Sequence, residues 1–152
     1  MTHYMELLVA NQPWNLIIFM AIPVILAEFI AVTELFILLK RDMGSLKKYN
    51  RIASIIAGIY FTGVFIYLFI NAVIPLTVSG GWRGIADVIA VGFYLLGIVP
   101  LGGMALLELG LISQKADSNR KLAIHATLVA IFLVVAHIAM IFGMLQPHLL
   151  MS

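Results

Sequence analysis

An all-α polytopic membrane protein, with four transmembrane helices paired as two antiparallel hairpins in one bundle, is the fold class that three observations predict. The chain has 152 residues, of which 63% are hydrophobic and 11% charged. Its mean hydropathy of +1.11 is far above that of a chain with a water-facing surface. Four apolar runs, residues 15–39, 51–75, 84–112 and 121–145, each reach the ~20 residues a helix needs to cross a hydrocarbon core. They consume most of the chain, so one transmembrane domain over 1–152 is expected, with no soluble domain beside it.

The cations fix a topology. Lys40, Arg41, Lys47, Lys48 and Arg51 lie between the first and second runs, and Lys115, Arg120 and Lys121 between the third and fourth. By the positive-inside rule these short loops face the cytoplasm, which puts both termini and the turn at Gly80 and Gly81 outside. Topology accounts for the basic loops, so no nucleic-acid partner is expected. Cysteine is absent, which excludes disulfides and thiolate metal sites. Because the first run is too long for a signal-peptide core and has no basic region before it, it is expected to be retained.

Taken in order, residues 1–14 form a short external segment that ends on an interfacial aromatic, Trp14. Its Met1, His3 and Met5, with His148 and Met151 from the other terminus, are a candidate set of soft ligands for external copper. In the first run Pro23 cannot donate to the Phe19 carbonyl and predicts a kink shortly before Glu28. Glu28 and Glu34 are six residues apart, roughly 120° around and ~9 Å along a helix, and so can flank one inward stripe. The segment KRDMGSLKKYNR reads as a tight loop. The second run carries small residues (Ala53, Ser54, Ala57, Gly58, Gly63) that permit close helix approach, and Pro75 is expected to end it. Pro100 predicts a kink in the third run, which carries Glu108 near its inner end. The fourth run holds His125 near the inner boundary and His137 close to the midplane.

Two layers of ionisable groups follow from these depths. Glu34, Glu108 and His125 form an inner layer, and Glu28 and His137 a middle one. Ionisable groups inside a membrane are costly and mark ion paths, ligand sites or buried pairs. Carboxylates with imidazole suit zinc, iron or manganese, and added methionine suits copper. All five residues are therefore candidate metal ligands, although no HExxH or ExxH motif supports them. For the inner layer, snorkelling into water beside the basic loops explains the same residues equally well.

Haem b is the alternative cofactor, with His137 or His125 as ligand. The two lie on one helix, ~18 Å and about 120° apart, so they cannot clamp one iron between them. The runs NQPWNLIIFMAIPVILAE and HATLVAIFLVVAHIAMIFGML resemble a family of small bacterial four-helix inner-membrane proteins labelled permeases, for which no substrate is established. The resemblance implies a bacterial inner membrane and a transport role, and it carries no site residues.

The expected function is binding or transport of a cation, a proton or a divalent metal, through the intramembrane Glu and His groups. The alternatives are a haem-binding redox protein and a non-catalytic accessory or assembly subunit of a larger membrane complex. An enzyme is not expected, since neither an activated nucleophile nor a phosphate-binding loop is present. A homo-oligomer is expected, joined through the small-residue faces of the second and third helices.

Overall fold

The computed structural model describes residues 1–40 and 44–146, and these are helical with no strand among the described residues. Four helices are long and apolar enough to span a membrane. We label the elements α1 (His3–Val9), α2 (Trp14–Lys40), α3 (Gly44–Ser79), α4 (Ile85–Leu96), α5 (Ile98–Glu108) and α6 (Ser118–Met144). The chain is an all-α polytopic membrane protein.

Several boundaries differ from those expected. The helix after the first basic loop starts at Gly44, so Lys47, Lys48 and Arg51 ride on its first two turns. At ~1.5 Å per residue its 36 residues reach about 54 Å, well beyond a ~30 Å hydrocarbon core. It is therefore longer than one perpendicular crossing needs. The segment before Trp14 is not featureless: Thr2 caps α1 by accepting from the Met5 N–H at 3.4 Å, and Tyr4 and Leu8 are buried.

The prolines act as their chemistry demands, though not always where expected. A π-helical turn, Ile17–Ala21, precedes Pro23, and a second, Phe69–Val73, precedes Pro75. Proline cannot donate to the carbonyl four residues back, and a wider turn redistributes the freed groups. The Phe19 carbonyl released by Pro23 accepts the Tyr94 hydroxyl at 2.6 Å. Pro75 does not end its helix, which continues to Ser79. Pro100 has its effect three residues earlier, where the third span breaks at Gly97 between α4 and α5.

The chain packs as two units, each drawn from all four spans. One comprises Met1–Ile22, Gly63–Gly97 and the chain from Val134 onward. Its interior holds Tyr4, Leu8, Phe19, Ala86, Ala90 and Tyr94, with the rings of Tyr4 and Tyr94 5.2 Å apart. The other comprises Pro23–Thr62 and Ile98–Leu133. Its interior is built on Ile30, Phe61, Leu101, Met104 and Phe132, with Phe61 and Phe132 edge to face at 6.2 Å. Here the small residues of the second span are used within the chain. Ala53 and Ala57 are buried, and a Cβ on Gly58 would collide with the Ala105 side chain and stand 2.7 Å from the Leu101 carbonyl oxygen. Gly58, on the surface expected to join two copies, is thus occupied within the chain, whereas a Cβ on Gly63 or Gly92 would meet nothing within 4 Å.

Candidate functional site

The site lies in the unit that contains the basic helix ends, and helical phase explains which acids reach it. In α2 the buried positions Ala27, Ile30, Thr33, Glu34 and Ile37 recur at helical spacing and form one stripe. Glu34 sits on that stripe. Glu28 follows Ala27 by one residue, about 100° further round, and its side chain is exposed. The two glutamates therefore do not flank one inward stripe. In α6 the buried residues His125, Val129, Phe132 and Ala139 mark the inward stripe. His137 is about 120° from His125 and is likewise exposed.

The inner layer is brought together. His125 is 2% exposed and Glu34 4% exposed, so neither snorkels into water. Nδ1 of His125 stands 2.8 Å from Oε2 of Glu34, and its Nε2 stands 2.8 Å from the Ser54 hydroxyl and 3.8 Å from Oε1 of Glu108. Glu108 is half-buried, and its Oε2 is 3.7 Å from Nε of the exposed Arg51. Asn50, buried behind Glu34, donates from Nδ2 to Glu34 Oε2 at 3.2 Å and to Thr33 Oγ1 at 2.8 Å. Ser54 donates to the Asn50 carbonyl at 2.8 Å.

This network counts protons. The Ser54 hydrogen is committed to the Asn50 carbonyl, so its oxygen accepts from His125, and Nε2 carries a hydrogen. Nδ1 then faces a carboxylate oxygen at 2.8 Å. Two bare acceptors would repel at that distance, so a proton belongs to the pair, on one partner or the other. The approach is close but not aligned for a hydrogen bond, and Nδ1 and the other carboxylate oxygen, Oε1, are both buried without a hydrogen-bond partner. Each such group costs roughly 1–3 kcal/mol. A purely structural pair would be expected to avoid that cost.

A cavity of about 840 Å³ opens onto the pair. Its wall combines Glu34, Glu108 and His125 with Lys47, Lys48, Arg51 and Lys121. Among the described residues no three His, Asp or Glu side chains converge as metal ligands.

The other unit holds a second buried carboxylate that sequence reasoning overlooked. Asp87, in the first turn of α4, is fully buried. It accepts from the His3 backbone N–H at 2.6 Å, from His3 Nδ1 at 2.5 Å and from the Arg83 N–H at 3.3 Å. Arg83 in turn donates to the Met1 carbonyl at 2.8 Å and to Glu6. That hydrogen bond from Arg83 holds the Glu6 carboxyl below the usual carboxylate range. Burial pushes the Tyr4 phenol up to about 12. His3, expected among soft external ligands, thus pairs with Asp87, while His148 and Met151 lie outside the described residues.

Asn50, Ser54, Thr33 and Asp87 were the residues missed. Asn50 and Ser54 are four apart on one helix face, a signal the sequence carried, but short polar side chains in an apolar helix are also common packing. Comparison with curated proteins and with solved structures finds no match. A family model matches residues 1–152, and the chain belongs to that family, DUF6803, a family of unknown function.

Proposed function

We propose that this is a multi-pass protein of a bacterial inner membrane that binds and exchanges a proton at Glu34–His125 and thereby transports, or couples transport of, a cation. One observation carries the reading: a buried imidazole nitrogen and a buried carboxylate oxygen stand 2.8 Å apart, and the other carboxylate oxygen has no hydrogen-bond partner although an open cavity adjoins it. A carboxylate and an imidazole so placed can pass a proton between themselves and to water entering the cavity. By the positive-inside rule, the basic helix ends support a cavity at the cytoplasmic face and both termini outside.

A divalent metal and haem suit the residues less well. Both nitrogens of His125 already face protein atoms at 2.8 Å, so an incoming zinc, iron, manganese or copper ion, or a haem iron, would have to displace one. Glu28 and His137 are not required for proton exchange at Glu34.

Glu28 favours the proposed homo-oligomer. It is exposed near the middle of α2, where an acid facing lipid is costly. A second copy laid against this face can offer its own Glu28, so that one protonated carboxyl donates to the other. An accessory subunit role would use the same face for a larger partner.

The test is proton flux into proteoliposomes, read with an internal pH dye. Glu34→Gln is expected to abolish flux while the protein stays folded, and His125→Gln to reduce it at least tenfold. Undiminished flux in folded Glu34→Gln would refute the assignment.

A further inference from the structure

The cavity has a polarity that proton exchange alone does not use. Its floor is acidic, with Glu34 Oε1 buried and unpartnered and Glu108 half-buried beside it. Its rim is basic. Lys48, Arg51 and Lys121 line it together with Glu34 and Glu108, so both signs of charge occur on one wall. A ligand that fills it should present a hydrogen-bond-donating cation to the floor and an anion to the rim.

We infer that the cavity binds a phosphorylated primary amine, of which phosphoethanolamine is the type: its ammonium at Glu34 Oε1 and its phosphate among Lys48, Arg51 and Lys121. An ammonium supplies the donor that the orphaned oxygen lacks, and the phosphate that a short spacer carries meets cations lining the same cavity. The volume, about 840 Å³, lies in the range of small-molecule sites. The apolar part of the wall, Ile37, Leu38 and Leu122, stands where α2 and α6 reach the basic ends of their spans, the depth of phospholipid headgroups. The amine therefore comes either from the bilayer, as a phosphatidylethanolamine headgroup, or from solution.

This rests on the proposed function in one respect, that Glu34 holds an exchangeable proton and is anionic when the amine binds. The ammonium and the proton compete for one carboxylate. The groups that contact it are His125 from α6 and Asn50 from α3; Ser54 from α3 and Glu108 from α5 face His125, and Arg51 from α3 faces Glu108.

The experiment is lipid binding to the full chain in detergent, measured by native mass spectrometry with dioleoyl phosphatidylethanolamine, dioleoyl phosphatidylglycerol and free O-phosphoethanolamine. Phosphatidylethanolamine is expected to bind at least tenfold more tightly than phosphatidylglycerol, which has the phosphate but no ammonium. Glu34→Gln should erase that preference while phosphatidylglycerol binding stays constant. Lys48→Ala, an exposed position whose replacement leaves the fold intact, should weaken both lipids. Binding of free O-phosphoethanolamine within tenfold of the lipid supports the inference with a soluble ligand, and binding of the lipid alone supports it with a bilayer ligand. Equal binding of the two lipids, or a preference that survives Glu34→Gln, overturns it. Infrared titration of the Glu34 carboxyl band in the same samples separates the two ideas: a band that titrates without amine selectivity leaves the proton site standing and removes the ligand.

Discussion

Asp87 and Glu34 are both buried carboxylates beside a histidine, one in each packed unit, and they differ in how completely they are satisfied. Asp87 receives three donors and ties the start of the chain to α4. Glu34 has one oxygen engaged by Asn50 and His125 and the other left bare. The first arrangement is that of a fastening. The second keeps a high-energy acceptor next to an opening, as expected where something binds and leaves. Burial of an acid beside a histidine thus does not by itself indicate function; the unspent hydrogen-bonding capacity does.

The comparison breaks most readily at Asp87. Asp87→Ala leaves the backbone N–H groups of His3 and Arg83 and the His3 ring without their acceptor, and at roughly 1–3 kcal/mol for each stranded donor it should lose several kcal/mol, read as a large fall in the thermal midpoint in detergent. Glu34→Gln, which keeps shape and the Asn50 contact, should cost less than about 1 kcal/mol. If the two variants lose similar stability, the contrast between fastening and site fails.

Packing beside each carboxylate gives intermediate effects. Gly58→Ala forces a methyl into Ala105 and the Leu101 backbone, which cannot give way as a flexible side chain would. We expect a loss of about 1–3 kcal/mol. Gly143→Ala meets the ring edge of Tyr4, with Cδ1 2.5 Å from the new atom. The ring can tilt, so the cost should be smaller and confined to α1, detectable as faster amide exchange over residues 3–9.

The smallest effects are those of pH. Glu6 titrates below its ordinary value because Arg83 donates to it, so its contribution is present above the unfolded pKa and is lost as pH falls through the folded one. Tyr4 is raised to about 12 from 10.0. Its contribution is intact below 10.0, the unfolded value, and is lost as pH rises towards 12. Protease nicking within residues 1–14 should therefore increase at both extremes and stay flat between them. Loss of α1 protection in the neutral range would contradict the assignment.

Much of this was legible in the chain. Apolar length and the placement of lysine and arginine gave four spans, and depth alone grouped Glu34, Glu108 and His125. Phase was harder to read. When nearly every residue of a helix is apolar, the inward stripe has little contrast, and Glu28 and Glu34 look equivalent although one is on it and the other off it. Ala27 and Thr33, the small and polar members of the stripe, were the available signal. Asp87 was invisible for another reason: its partners are His3 and Arg83, whose convergence depends on the fold of a segment too short to have a pattern.

The two π turns set a ruler on the chain. Each accommodates one residue more than an α-helix of the same rise, so Ile17–Ala21 and Phe69–Val73 are places where length and angle can be traded. Removing one residue from the first would restore regular winding and swing everything before it by about 100°, pulling the His3 N–H away from the Asp87 carboxylate it now reaches at 2.6 Å. Single-residue gaps among family members should therefore collect in these two stretches, and where one closes, the segment before Trp14 should have changed its own length to compensate.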